Sequence, residues 1–135
     1  MNKLSGIVTS IQRSGAILLV DLDVEGHGFS ALLIESTNPA EWMDTGRSVD
    51  LVFKETEVSL ARNLSGMISM RNRMKCTVQH IERGALLSKV SLKFWKYTIT
   101  SAITTRSVDS LQLAIGDEVE ALVKANEVSL MKKNI

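Results

Sequence analysis

Shifted against itself by about 70 positions, the chain of 135 residues repeats. Val20-Asp21-Leu22 falls on Val90-Ser91-Leu92, Gly46 on Gly116, Val49 on Val119 and Lys54 on Lys124. Glu57-Val58-Ser59-Leu60 meets Glu127-Val128-Ser129-Leu130 without a mismatch, and Asn2-Lys3-Leu4 meets Asn72-Arg73-Met74. One single-residue slip sets Ala31 to Ser36 on Ala102 to Ser107 at a shift of 71. The repeats divide as residues 1–66 and 67–135. A unit of roughly 60 residues is near the size at which one core is only marginally stable. The copies are therefore expected to pack on each other, on other subunits, or both. Small repeated units build function at contacts between copies more readily than in a cleft of their own.

The pattern is strand-like nearly throughout. Leu4 to Ile11 is β-branched and interrupted by Gly6, and Ala16 to Asp23 alternates over Leu18, Val20 and Leu22. Glu25-Gly26-His27-Gly28 reads as a glycine turn, with Phe29 to Ile34 returning. Asn38-Pro39-Ala40-Glu41 looks like a capped helical start that Gly46 ends, and Ser48 to Lys54 and Glu57 to Leu60 follow as strands. In the second unit, Met74 to Ile81, Leu86 to Leu92, Tyr97 to Thr104, Glu118 to Lys124 and Glu127 to Met131 are strands. Ser107 to Ala114 is the helical turn, closed by Gly116. The expected fold is mainly β: two tandem small OB-like five-stranded barrels, each with one short helical turn. Residues 61–70 join them without Pro or low complexity, as a short ordered linker.

Apolar residues make up 44% of the chain, which favours an oligomer with apolar interfaces, a well-filled barrel core being the alternative. No apolar run is long enough to span a membrane, and the N-terminus lacks the apolar core of a signal peptide. The single cysteine, Cys76, rules out an intrachain disulfide and suits a reducing cytoplasm. Cys76 occupies the slot of Gly6 and reads as a small packed residue. The net charge of +1 conceals an asymmetry. Residues 1–66 carry five Lys/Arg against nine Asp/Glu, and residues 67–135 carry eleven against six. Either the halves complement each other, or the second is kept receptive to an anion.

Enzyme chemistry is not expected. His27 and His80 stand alone, with no companion ligand at metal spacing. A nucleophile elbow, a Walker loop and a dinucleotide fingerprint are all missing. What remains is a donor set for an oxyanion: Ser69, Arg71 and Asn72 before a strand, Thr104 and Ser107 around a helical turn, and Lys124 near a strand end. A tetrahedral dianion offers only acceptors, so its site wants hydroxyls, N–H groups and fixed positive charge. Each residue also has a plain reading: Ser107 as a cap, Arg71 and Lys124 as solvated charges, Asn72 as a bend.

The arrangement resembles a known family. Ser69-Met70-Arg71-Asn72-Arg73-Met74 is similar to the Ser-x-Arg-Asn-x-Leu opening of molybdate-binding Mop modules, the molbindin family, also found as paired TOBE domains. Ala102 to Leu113 resembles that family's Ala-x-Ile-Thr-x-x-Ser-x-x-x-Leu-x-Leu stretch, and Gly116 to Ala125 its closing Gly-x-x-Val-x-Ala-x-Ile-Lys-Ala segment. The match covers the second repeat and, more loosely, the first. It implies an OB-like barrel per repeat and molybdate or tungstate as bound ligand where modules of different subunits meet, as in trimeric tandem molbindins. The residues it implies are Ser69, Arg71, Asn72, Thr104, Ser107, Lys124 and Ala125, with Ser36 and Lys54 from the first repeat. That repeat departs from the pattern, with Leu33 in the place of Thr104 and Glu35 in the place of Arg106, so its site is expected to be weakened or lost.

The expected function is non-catalytic binding of the oxyanion for intracellular molybdenum storage or homeostasis, in a cytoplasmic homo-oligomer, with no membrane partner. One alternative is a molybdate-sensing module of a transporter ATPase or a transcription regulator. Another is a single-stranded nucleic-acid binder, because Phe94, Trp95 and Tyr97 are interleaved with Lys93 and Lys96 as stacking platforms would be.

Overall fold

The structure, a computed structural model, describes residues 1–34 and 41–133. Ten antiparallel strands run β1 (Asn2–Ser14), β2 (Ile17–Val24), β3 (His27–Ile34), β4 (Ser48–Phe53), β5 (Ser59–Ala61), β6 (Asn72–Arg83), β7 (Leu87–Phe94), β8 (Tyr97–Thr104), β9 (Glu118–Val123) and β10 (Ser129–Lys132). Helix α1 (Thr105–Ser110) follows β8. Short 3-10 turns occupy Glu41–Met43, Glu55–Glu57 and Ala125–Glu127. The mainly β, two-barrel expectation holds: there are two five-stranded sheets, in the orders β10-β4-β1-β2-β3 and β5-β9-β6-β7-β8.

Those orders contain what the repeat does not announce. β5 belongs by sequence to the first copy but pairs with β9, and β10 belongs to the second copy but pairs with β4. Each copy lends its last strand to the other's sheet. Buried apolar side chains of both copies accordingly form one continuous cluster, from Leu4 through Phe29 and Phe94 to Val128.

Alternation sets the faces. In β2 Leu18, Val20, Leu22 and Val24 are buried, and in β7 Ser88, Val90, Leu92 and Phe94 are. Both long strands carry a bulge at the same place, Val8/Ser10 in β1 and Val78/His80 in β6. A bulge bends its strand and curls the sheet. Each is pinned by the segment ahead of the fourth strand: Gly46 N–H donates to Val8 O at 2.7 Å, and Gly116 N–H to Val78 O at 2.8 Å. Both glycines are left-handed, with φ of 88° and 95°, which explains why the two copies share them. At Gly6 the constraint is space, since a Cβ there would stand 2.9 Å from Leu51 Cδ1. Cys76 fits the equivalent slot and is buried, as expected of a packed residue. Burial pushes its thiol pKa up to about 12.

Two buried asparagines clamp the halves together. Asn2 exchanges hydrogen bonds with the backbone of Thr100, at 2.9 and 2.8 Å, and Asn72 with that of Ser30, at 2.9 and 2.7 Å. Ser101 Oγ donates to Val58 O at 2.7 Å. Of five ion pairs among the described residues, Arg62–Asp117, Lys89–Glu55 and Lys96–Glu25 cross between the halves. Part of the charge asymmetry is therefore self-complementarity within the chain.

Several sequence expectations shift. The first hairpin turns on Glu25 and Gly26 alone, with φ of 51° and 83°, and His27 and Gly28 are already in β3. Residues Glu57 and Glu127, expected in strands, close 3-10 turns instead. The helix starts at Thr105, two residues before the expected Ser107, and ends at Ser110 rather than Ala114. The capped start at Asn38-Pro39-Ala40 lies outside the described residues; Glu41–Met43 is a 3-10 turn.

Candidate functional site

The expected donors separate into two groups at opposite ends of β6. At its start, Asn72 pairs in register with Val123 of β9, so Arg71 and Lys124 are the next residue out on each strand. Both are exposed, and neither side chain joins an ion pair among the described residues. Ala125 opens the 3-10 turn behind Lys124. Ser69 is exposed in the linker just ahead. Like charges this close repel unless an anion lies between them.

Asn72 does not join this group as a donor. It is fully buried, and its amide is committed to both polar backbone groups of Ser30. Its type is dictated by the need for one donor and one acceptor on the same short side chain. In the single chain its side chain acts as a clamp between the halves.

At the other end of β6, Arg83 faces Ser88, and Leu87 faces Thr104. Thr104, not Ser107, is the helix cap: its Oγ1 accepts from Ser107 N–H at 3.0 Å. The two hydroxyls also meet at 2.7 Å. This corrects the expected role of Ser107 at the helix start, and it leaves the Ser107 N–H already occupied. A six-residue helix adds little dipole. What remains for a ligand is a pair of linked hydroxyls. Thr104 lines a cavity of about 530 Å3 with Arg106 and Leu86, while Ser107 lines another of about 340 Å3 with Ser59 and Leu60.

Strand exchange decides which lysine lies on which side. The turn after Lys54 packs on β8, and the turn after Lys124 packs on β3. Within one chain, then, Thr104 and Ser107 adjoin the Lys54 branch, and the expected grouping with Lys124 does not form there. Lys54 is exposed, and its backbone N–H donates to Glu57 Oε1 at 3.1 Å. Ser36 lies outside the described residues.

Two features escaped the sequence reading. Thr105 is buried beneath the helix start, its Oγ1 2.7 Å from Ser88 Oγ and donating to Gly84 O at 2.9 Å. The hydroxyl types at 88 and 105 are the sequence signal for that anchor. The second is an acidic contact between the copies: burial, together with a hydrogen bond to Glu57, raises the carboxyl pKa of Glu127, and Lys124 opposes the shift. The repeated Glu-Val-Ser-Leu displayed both acids, but only the fold brings them together. Three carboxyls are held low by arginines, Glu120 by Arg73, Asp117 by Arg62 and Asp109 by Arg83. Among the described residues no His, Cys, Asp and Glu cluster could hold a metal ion, and no helix is long and apolar enough to cross a membrane.

The family model described as the TOBE domain matches residues 68–130. A solved structure described as the cytoplasmic molybdate-binding protein ModG, with molybdate bound, superposes with a TM-score of 0.89 at 28% identity, covering 96% of this chain and 94% of that one. Residues 68–130 belong to the TOBE domain family, and the chain as a whole shares the fold of ModG. The molybdenum import ATP-binding protein ModC of Brucella abortus (strain 2308) is 43% identical over 81 residues, 59% of this chain but 23% of ModC. The molybdenum transport protein ModE of Herbaspirillum seropedicae is 26% identical over 130 residues, 94% of this chain and 48% of that protein. The chain thus spans about a quarter to a half of the length of these relatives. The tandem pair of modules is the part it shares with ModG along nearly the whole of both chains.

Proposed function

We propose that this chain is a non-catalytic binder of molybdate or tungstate, serving intracellular molybdenum storage or homeostasis in the cytoplasm, with its sites between subunits of a homotrimer. The observation that carries this reading is the division of the donors. The cations Arg71 and Lys124 stand at one end of β6 and the hydroxyls of Thr104 and Ser107 at the other. One protomer offers half a site at each end, and a neighbouring copy completes it. The likeness to ModG, whose structure holds molybdate, supplies the identity of the anion. Exposed Ile17, Leu32 and Ile34 at one sheet end, and Leu86 and Leu87 at the other, supply apolar surface for the contacts.

Affinity then comes from charge-assisted hydrogen bonds in an interface that excludes water. Ser69, Arg71, Lys124 and Ala125 form the cationic part, Thr104 and Ser107 the hydroxyl part. Lys54 and Ser36 belong to a weaker site, because Leu33 replaces the hydroxyl of Thr104. Titration calorimetry with molybdate, with and without excess sulfate, on material of measured mass tests this. Lys124→Ala is expected to weaken binding at least tenfold and Lys54→Ala to weaken it much less. The reverse order would show that the halves are exchanged, and no heat in the native chain would sink the reading.

A second reading, a molybdate-sensing module, is favoured by the likeness to ModC and ModE, in which the matched segment is a minority of the protein. Anion-dependent co-purification with a transporter ATPase or a transcription factor would support sensing over storage. The nucleic-acid reading loses two of its three platforms: Phe94 is buried, stacked on Tyr97 and edge-on to Phe29, and Tyr97 is tied by its hydroxyl to the backbone of Ser5.

A further inference from the structure

One exposed aromatic is left over from that junction. On the outer face of the second sheet a groove of about 770 Å3 opens between His27, Arg73, Lys75, Phe94, Trp95 and Glu120. Trp95 is 58% exposed, yet it is held in place. Its indole N–H donates to His27 Nε2 at 2.5 Å, and the two rings lie 5.4 Å apart. Its backbone φ is 53°, a region bulky residues avoid and glycine occupies freely. A large ring fixed toward solvent at a turn position suited to glycine points to a use for the ring.

The charges around it are equally particular. Arg73 is committed to Glu120 through two bonds of 2.8 Å. Lys75, two residues along the same exposed face of β6, stays outside any ion pair among the described residues. Lys93 stands on that outer face one strand away, opposite Thr77. The first copy supplies an internal contrast. There Ser5 replaces Lys75, Asp23 replaces Lys93 and Glu25 replaces Trp95. The groove over Ser5, Asp23 and Glu25 is about 290 Å3, and Lys96 and Glu25, both lining it, are paired at 3.0 Å. Where the first copy has Ser5, Asp23 and Glu25, the second has two lysines and an indole.

We propose that the Trp95 groove is a second ligand site, distinct from the donors at the ends of β6, for a flat heteroaromatic anion of the mononucleotide class. The heterocycle stacks on the indole, and the Lys75 ammonium, with Lys93 beyond it, meets the phosphate. A groove of this volume suits a ligand of that size. The proposal does not depend on the molybdate reading.

The test is titration of the full-length chain with guanosine monophosphate, followed by the emission of Trp95 in a Trp42→Phe background. Saturable quenching is expected, weakened several-fold by raised salt. By calorimetry, Trp95→Gly, which suits the left-handed backbone and should keep the fold by circular dichroism, is expected to weaken binding at least tenfold, and Lys75→Ala several-fold. Molybdate titration of both variants should be unchanged, which separates this site from the other. Four results would overturn the proposal: no quenching; inorganic phosphate binding as tightly as the nucleotide; undiminished binding by Trp95→Gly; or a fall in solution mass on Trp95→Gly without any nucleotide effect, which assigns the groove to a second copy of the chain.

Discussion

Asn72 shows how a residue legible as a ligand becomes a structural clamp. Its position in a Ser-x-Arg-Asn sequence suggests an anion donor, but both ends of its amide hold the Ser30 backbone. Asn72→Ala leaves a buried N–H and C=O without partners, so it is expected to cost about 2–4 kcal/mol in denaturant melts. Any loss of anion affinity should follow the loss of fold, and selective loss of binding in a fully stable variant would restore the ligand role. Glu127 gives a prediction of opposite sign. Its folded pKa lies above the ordinary 4.5, raised first by burial and then by Glu57. A raised carboxyl favours the folded state below its unfolded pKa, and that benefit is lost as pH rises through the folded value. Glu127→Gln should therefore raise the melting temperature at neutral pH and flatten the loss of stability above about pH 4.5. An unchanged pH profile would argue against the Glu57 contact. No single position displayed either behaviour, since each depends on a partner from the other half.

The strands were legible because their cores alternate: β2 and β7 show the pattern directly, and β8 matches its expected span residue for residue. The elements that moved are those governed by hydrogen bonds rather than by hydrophobic period. Helix α1 begins where Thr104 can cap it, and the segments after Lys54 and Lys124 turn before they extend because Glu57 and Glu127 N–H groups reach back to those lysine carbonyls at 3.0 and 2.9 Å. The glycines at the bulges were visible as repeats, but their reason is geometric. Gly116→Ala places a Cβ at φ 95°, where nothing crowds it but the backbone itself is unfavourable. It should destabilise the chain by about 1–2 kcal/mol, with little change in the circular dichroism of the folded state. A neutral substitution would mean that the bulge does not need that turn.

At the scale of the molecule, strand exchange makes two sequence repeats into one body. The core is continuous across both sheets, and the asparagine clamps and the Phe29–Phe94 contact cross between them. Thermal unfolding is expected as a single transition with matching calorimetric and van't Hoff enthalpies. Two separated transitions would show that the sheets fold independently. By itself the sequence determined the duplication, the strand content, the packed Cys76 and the richness of the second copy in cations and hydroxyls, because those follow from residue type and local period. Only the tertiary structure decided which strands close which sheet, that Asn72 faces inward, and that Thr104 and Lys124 stand at opposite ends of β6. The physical reason is that pairing of β5 and β10 depends on backbone hydrogen bonds, which carry no side-chain signature, so the same residues are compatible with closing their own sheet or their neighbour's.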